Sequence, residues 1–189
     1  MSAPEPSRKP RADAQRNRER LIDAAKAAFA QTGPDVSLEE IARRAEVGIG
    51  TLYRHFPTRD AVVEAVYRRE VQQLADAAQR LLDSHPPIEA LREWLKLFVN
   101  YMATKKVIAP ALGSMAGGAS ALYESSGVLM RSAVDRLMEA AIASGDIRTD
   151  VEAADVMQAL VGFALSASGP DWEARTLRLI DILMDGLRS

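Results

Sequence analysis

Apolar residues recur every three or four positions along most of the chain, which is the spacing of one face of an α-helix. Between residues 59 and 83, for example, Val63, Tyr67, Val71 and Leu74 follow this spacing. No stretch shows the alternation of apolar and polar residues that is typical of a half-buried β-strand. The pattern therefore predicts an all-α fold of about nine helices.

Three of these helices are predicted before residue 59. The first runs from about residue 13 and ends at Gly33-Pro34. The second begins at Ser37, where a serine followed three residues later by Glu40 has the pattern of a capping box. The third runs from about Ile49 to His55 and is closed by a proline. Two short helices joined by a tight turn that contains glycine have the layout of a helix-turn-helix.

We divide the chain accordingly into three parts. Residues 1–12, rich in proline and basic residues, are predicted to be a disordered basic arm. Residues 13–58 are predicted to form a three-helix DNA-binding domain, and residues 59–189 a second domain of about six helices. That second domain is expected to include a short separate helix between Thr104 and Gly118, flanked by glycine joints, and a final pair, the predicted helices 8 and 9, at about 152–168 and 171–188.

Basic residues are concentrated at the start of the chain, although the formal net charge is only −2. Residues 1–60 carry 11 Lys and Arg against 9 Asp and Glu, and six of the eleven lie between Arg8 and Arg20. Such a run is also typical of a solvated face or tail. Because it precedes a helix-turn-helix, we predict that Arg16 and Arg18 contact DNA phosphates.

The third helix carries the residues that we expect to face DNA. Small residues at its start allow the backbone to approach DNA closely, and a threonine there offers a hydroxyl to phosphate and a methyl group to thymine. Polar side chains further along the same helix can donate hydrogen bonds to phosphate oxygens. Leu52 and Phe56, four residues apart, are instead expected to pack inwards. Taken singly, each polar residue also fits an ordinary surface or core-edge position. The predicted contacts are Gly48, Gly50, Thr51, Tyr53, Arg54, His55 and Arg59.

The segment from Ser37 to Asp60 resembles the tetracycline-repressor (TetR) family of bacterial regulators, which it matches at Gly50, Thr51, Leu52, Tyr53, His55 and Phe56. The resemblance implies a homodimer, joined through helices 8 and 9, that places two recognition helices in successive major grooves of a near-palindromic double-stranded DNA operator. It also implies that the C-terminal domain binds a small effector. By the same resemblance, the DNA-contacting positions are Ser37, Gly48, Thr51, Tyr53, His55 and Arg59. Two positions depart from the family pattern: Ile49 replaces a residue that is often basic, and Arg59 replaces a residue that is more often lysine. With few polar side chains at the start of the third helix, the sequence of the operator cannot be inferred.

A set of aromatic and methionine residues in the second domain could line an effector pocket. The same residues at helical spacing also fit a plain core. Because Asn100, Tyr101 and Thr104 place polar groups beside them, we predict a pocket for a small, largely apolar molecule. The predicted lining residues are Trp94, Phe98, Tyr101, Met102, Tyr123, Met130, Met157 and Phe163.

Several classes of function are not expected. The chain has no cysteine and two histidines, His55 and His85, so we predict no catalytic residues, no metal site and no cofactor. No apolar run approaches the about 18–20 residues that span a bilayer, and the N-terminus has no signal-peptide pattern, so a cytoplasmic protein without membrane contact is expected.

Together with the family resemblance, these patterns favour a transcriptional repressor, not an enzyme, which a small effector releases from its operator. A regulator of the same type that activates, or that needs no effector, remains an alternative. Two alternatives of another class are a protein-interaction adaptor and an all-α enzyme built on the same scaffold.

Overall fold

The computed structural model of the chain describes residues 8–115, 118–167 and 169–189. Within these ranges the chain forms eight α-helices and no β-strand, apart from one isolated antiparallel bridge between Ile147 and Arg188. The all-α prediction is therefore confirmed. The helices are α1 (Arg8–Thr32), α2 (Leu38–Arg44), α3 (Ile49–His55), α4 (Arg59–Leu82), α5 (Pro87–Gly113), α6 (Ser120–Ala143), α7 (Ala153–Ser166) and α8 (Trp172–Leu187).

The prediction of a separate short helix between Thr104 and Gly118 is wrong, because α5 continues without a break to Gly113. Ile108 and Leu112, four residues apart, are both buried and extend the apolar face of the helix. Pro110 lies within α5 but on its exposed side. A proline there removes one backbone hydrogen bond without placing its ring in the core, so the helix continues through it. The helix count falls from the predicted nine to eight in the described residues.

The prediction of a disordered arm over residues 1–12 is wrong for residues 8–12, because these residues already belong to α1. Pro10 lies in the first turn of α1, where a missing backbone N–H costs nothing because no partner for it exists within the helix. Residues 1–7 lie outside the described residues.

The chain divides into two compact units. The first comprises the described residues up to Tyr67 together with those from Val107 to Gly118, and the second comprises Arg68–Lys106 and the described residues from Ala119 to the C-terminus. α4 begins at Arg59, directly after the predicted domain boundary, whereas the two units divide within α4, between Tyr67 and Arg68, so the boundary at residues 58 and 59 remains a prediction.

Each unit has its own apolar core. In the first, Leu21, Ala25 and Phe29 of α1 are buried at helical spacing, as are Ile41 of α2 and Leu52 of α3. In the second, the fully buried Trp94 of α5 donates its indole N–H to the carbonyl oxygen of Leu74 on α4 at 2.8 Å. This bond satisfies the one polar atom of a large core side chain.

Candidate nucleic-acid interface

Ser37 begins α2 as its N-cap. Its backbone is extended, and its Oγ accepts a hydrogen bond from the backbone N–H of Glu40 at 3.1 Å. This satisfies one of the N–H groups that have no partner in the first turn of a helix. The other half of the predicted capping box does not form, because arginines of the same helix hold the Glu40 carboxylate.

Those arginines are Arg43 and Arg44, one helical turn after Glu40. Arg43 donates to both carboxylate oxygens of Glu40 at 2.8 Å, and the Arg44 Nε donates to one of them at 2.7 Å. Hydrogen bonds from Arg43, and then from Arg44, favour the ionised carboxylate and lower the pKa of Glu40 from 4.5 to about 2. The outward side of α2 therefore holds this carboxylate in a fixed, charged arrangement.

The turn between α2 and α3 has the hydrogen bonds of a Schellman motif. The Val47 N–H donates to the carbonyl oxygen of Ala42 at 3.0 Å, and the Glu46 N–H donates to that of Arg43 at 3.1 Å. Glu46 adopts a φ of 52°, the left-handed conformation that this motif requires and that glycine usually occupies. The Glu46 carboxylate accepts a hydrogen bond from Arg20 of α1 at 3.0 Å, which ties the turn to the first helix.

α3 has two faces of different character. Leu52 and, directly after the helix, Phe56 are buried, which confirms that these two residues pack inwards. On the other side, Ile49 and Gly50 are exposed, and 47% of Tyr53 is accessible to solvent. The helix therefore presents an exposed surface that includes Ile49, Gly50 and Tyr53.

Arg54 lies along this surface and bonds to its own helix. Its Nε donates to the carbonyl oxygen of Gly50 at 3.1 Å, and its Nη2 donates to the Thr51 hydroxyl at 3.2 Å. His55, at the end of α3, is half-buried, with its ring 6.3 Å from that of Phe56. The exposed Arg54 guanidinium thus lies beside the threonine predicted to approach DNA.

The other predicted basic contacts also have partners within the first unit. Arg16 pairs with Asp13, and the Arg18 guanidinium lies 5.2 Å from the centre of the Phe56 ring. Arg59 is half-buried, and its Nη1 donates to the carbonyl oxygen of Val36, just before α2, at 2.7 Å. In the described part of the chain, its buried Nη2 has no hydrogen-bond partner. Arg59 thus holds the start of α4 against the segment that caps α2.

The predicted pocket residues lie in the second unit, on α5, α6 and α7, and they differ in exposure. Phe98 lies in an aromatic row, with its ring 6.1 Å from that of Trp94 and 5.6 Å from that of Tyr101. Asn100 is exposed, whereas the Thr104 hydroxyl donates to the buried Glu70 at 3.4 Å. Buried among the predicted residues are Trp94, Phe98, Tyr101, Met102 and Met130, while Met157 and Phe163 are half-buried and Tyr123 is exposed.

Sequence reasoning missed Lys105, the residue beside Thr104. Its ammonium lies 4.7 Å from the centre of the Tyr123 ring and 6.0 Å from that of Tyr101. The signal in the sequence was a lysine one helical turn after Tyr101, on a side of α5 that already carried aromatic residues.

Within the residues that the structure describes, no group of three His, Asp or Glu side chains has the arrangement that would hold a metal ion. None of the helices in these ranges is both long and apolar enough to cross a bilayer.

Comparison with known proteins matches both parts of the chain to one family. Residues 21–66 match the family described as "Bacterial regulatory proteins, tetR family", and residues 86–189 match "Transcriptional regulator SbtR-like, C-terminal domain". The second match alone covers more than half of the chain.

Solved structures agree over nearly the whole chain. The TetR transcriptional regulator SCO0520 from Streptomyces coelicolor is 46% identical, with a TM-score of 0.82, over 90% of this chain and 98% of that one. The TetR regulatory protein from Mycobacterium vanbaalenii is 34% identical, with a TM-score of 0.80, over 95% and 99%. Among curated relatives, the helix-turn-helix regulator TtgW of Pseudomonas putida is 37% identical over 89 residues, which are 47% of this chain and 62% of TtgW. This chain thus spans less than two thirds of that relative.

The geometry of α2, the turn and α3 is that of a helix-turn-helix in a DNA-binding transcriptional regulator. The chain belongs to the TetR family of these regulators.

Proposed function

We propose that this protein is a repressor that binds a near-palindromic operator as a homodimer and leaves it when a small effector binds. The observation that carries the proposal is the division of α3 into a buried side, with Leu52, and an exposed side, with Tyr53. An exposed tyrosine and a threonine beside two small residues suit insertion of the helix into a major groove.

Under this proposal, the exposed side of α3 reads base edges, and neighbouring basic residues hold phosphates. Arg16 lies in an exposed ion pair, which contributes little to stability, so its guanidinium can exchange Asp13 for a phosphate. Arg54 is exposed and bonds to its own helix, so it can likewise turn to a phosphate, whereas Arg59 would contact DNA while it keeps its bond to the Val36 carbonyl oxygen. Ser37 and His55 lie at the ends of the two helices of the motif, where their polar atoms would meet the DNA backbone.

We further propose that α7 and α8, which correspond to the predicted helices 8 and 9, form the dimer interface. Leu165 of α7 and Ile182 of α8 are each 67% exposed, which is unusual for large apolar side chains on two helices whose other faces are buried. Helices with two apolar faces pack into four-helix arrangements when a second copy supplies the missing pair. Two copies would then present their recognition helices to half-sites about 34–36 Å apart.

The direct experiment is selection of bound sites from random DNA by the purified full-length protein. Two inverted half-sites, spaced by about one turn of DNA, are expected. Tyr53→Ala is expected to weaken binding to the selected site by tenfold or more, and Tyr53→Phe separates the hydroxyl contribution from that of the ring. Failure to enrich any sequence would contradict the proposal.

A second experiment tests the phosphate contacts. Replacement of Arg16, Arg18 and Arg20 with alanine is expected to weaken binding to all DNA sequences. It should also flatten the dependence of log K on log salt by about 0.9 for each phosphate that the variant no longer neutralises. An unchanged slope would show that these arginines serve only the fold, as the Arg18–Phe56 and Arg20–Glu46 interactions allow.

A further inference from the structure

Lys105 occupies a position in the second unit that is unlike that of the neighbouring lysines on α5. Its ammonium lies between two tyrosine rings, 4.7 Å from the centre of the Tyr123 ring and 6.0 Å from that of Tyr101. Tyr101 is buried, whereas Tyr123 lies at the surface, so the ammonium faces the aromatic interior on one side and a solvent-accessible ring on the other. Lys105 is itself half-buried and Tyr123 is exposed, so the site borders solvent on the Tyr123 side.

The nearby lysines have conventional partners. Lys96 donates to Glu93 at 2.8 Å, and Lys106 donates to the carbonyl oxygen of Ala167 at 3.2 Å while lying over the Trp172 ring. In the described part of the chain, by contrast, no carboxylate lies within ion-pair distance of Lys105. Burial lowers the pKa of the Lys105 ammonium, which is the direction expected when desolvation is not balanced by a nearby anion.

The two tyrosine rings offset this desolvation in part, because an ammonium is attracted to the face of an aromatic ring. A ring quadrupole does not replace the hydrogen bonds that an ammonium makes with water or with an anion. An arriving anion would gain a charge-assisted hydrogen bond and would relieve a cost that the protein already carries. An uncharged molecule of the same shape would gain much less.

We propose that Lys105, between the rings of Tyr101 and Tyr123, binds the carboxylate of a small organic acid whose apolar part lies against these aromatic residues. This proposal rests on the proposed function, since the acid would be the effector that controls DNA binding. It narrows a small, largely apolar effector to an apolar molecule that carries one negative charge.

The test compares acids with their uncharged counterparts. Thermal unfolding of the full-length protein is followed with octanoate, decanoate, phenylacetate and benzoate, each beside its methyl ester and primary amide. At least one acid is expected to raise the melting temperature, while its ester and amide have little effect. Calorimetry then gives the Kd of that acid.

Variants assign the effect to Lys105. Lys105→Met, which keeps an unbranched side chain only one atom shorter, is expected to raise the Kd of the acid about ten- to hundredfold, the usual effect of losing a hydrogen bond to a charged group. Lys105→Arg should retain part of the affinity, and Lys96→Met, which removes a surface lysine of the same helix, should leave the Kd unchanged. Because Lys105→Met removes a partly buried charge, the protein without ligand should melt no lower than wild type.

Three results would overturn the proposal: no stabilisation by any acid of the panel, equal stabilisation by an acid and its ester, or an unchanged Kd in Lys105→Met. Site selection from random DNA, performed without any acid, keeps the two proposals distinguishable. Selected DNA sites without acid binding would refute the Lys105 site alone, and acid binding without selected sites would refute the repressor function alone.

Discussion

Glu46 is the one non-glycine residue among those described that has a positive φ, and it lies in the turn of the DNA-binding motif. Gly145 occupies the equivalent position after α6, where the Asp146 N–H donates to the Ala141 carbonyl oxygen and the Gly145 N–H to that of Ile142. The same hydrogen-bonding pattern is thus built once with glycine and once with glutamate. Glutamate carries a steric cost there that glycine does not.

Glu46→Gly is expected to be about 1 kcal/mol more stable than Glu46→Ala, because both variants lose the Arg20 partner and only glycine relieves the left-handed conformation. Chemical denaturation of the two variants measures this difference. Gly145→Ala, the reverse change in the matching motif, should be destabilising. Equal stability of the two Glu46 variants would show that the turn relaxes around a side chain.

The ionised Glu40 carboxylate should make the stability of the fold depend on pH. Its pKa is lowered in the folded protein to about 2, so ionised Glu40 contributes stability that is complete above its usual pKa of 4.5 and lost as the pH falls towards 2. The difference in melting temperature between wild type and Glu40→Gln should therefore be largest near neutral pH and disappear across this range. Glu39→Gln removes the same charge from an exposed neighbour and serves as the control. A difference that does not change with pH would contradict the prediction.

At the scale of elements, α3 combines a packing role and a binding role in seven residues. Leu52→Ala removes a fully buried side chain and is expected to cost about 2–5 kcal/mol of unfolding free energy. Tyr53→Ala changes an exposed side chain and should alter stability by no more than about 0.5 kcal/mol while weakening DNA binding. Urea denaturation and DNA titration of the two variants separate the roles. Loss of stability in both would mean that Tyr53 supports the fold.

Pro110 lies within α5, a helix of 27 residues. Pro110→Ala restores a backbone N–H and removes a ring that opposes the preceding turn, so it is expected to stabilise the protein by about 1–3 kcal/mol. The expected readout is a higher melting temperature. Ala111→Pro, one position further along the same helix, should have the opposite effect. An unchanged or lower melting temperature for Pro110→Ala would indicate that the surrounding structure requires the proline.

The elements also show where the sequence was informative. The inward positions of Leu52 and Phe56 were predictable because residues four apart share one side of a helix. The continuous course of α5 was not predictable from the sequence. A proline with glycines nearby can mark the end of a helix, but it can also lie on the exposed side of a long helix, and the two cases look alike in the sequence. Burial of Ile108 and Leu112 favours the long helix, and burial is a tertiary property.

At the scale of the whole molecule, the proposed dimer depends on the outward sides of α7 and α8. Combining Leu165→Glu with Ile182→Glu is expected to convert a dimer to a monomer in sedimentation velocity at micromolar concentration, because it would place charges in a buried interface. Val128→Glu is the matched control, since Val128 on α6 is 69% exposed and lies outside the proposed interface. The double variant should also lose most of its affinity for a palindromic site. The proposed interface is wrong if the wild-type protein sediments as a monomer, or if the double variant still sediments as a dimer.

The all-α class, the helix-turn-helix and the family could be predicted from the amino-acid sequence. Helical spacing, the serine before α2 and the proline after α3 are local signals, and the match around Gly50 and Tyr53 is continuous along the chain. Local signals of this kind do not depend on the packing of distant segments.

Which polar groups meet across the fold depends on tertiary packing. Arg59 bonds to the Val36 carbonyl oxygen, 23 positions earlier in the chain, and Lys105 lies between the rings of Tyr101 on its own helix and Tyr123 on α6. Each arrangement depends on a partner that is distant along the chain, Val36 for Arg59 and Tyr123 for Lys105. Spacing along the chain specifies the face of a helix that a residue occupies, whereas packing decides what that face contacts.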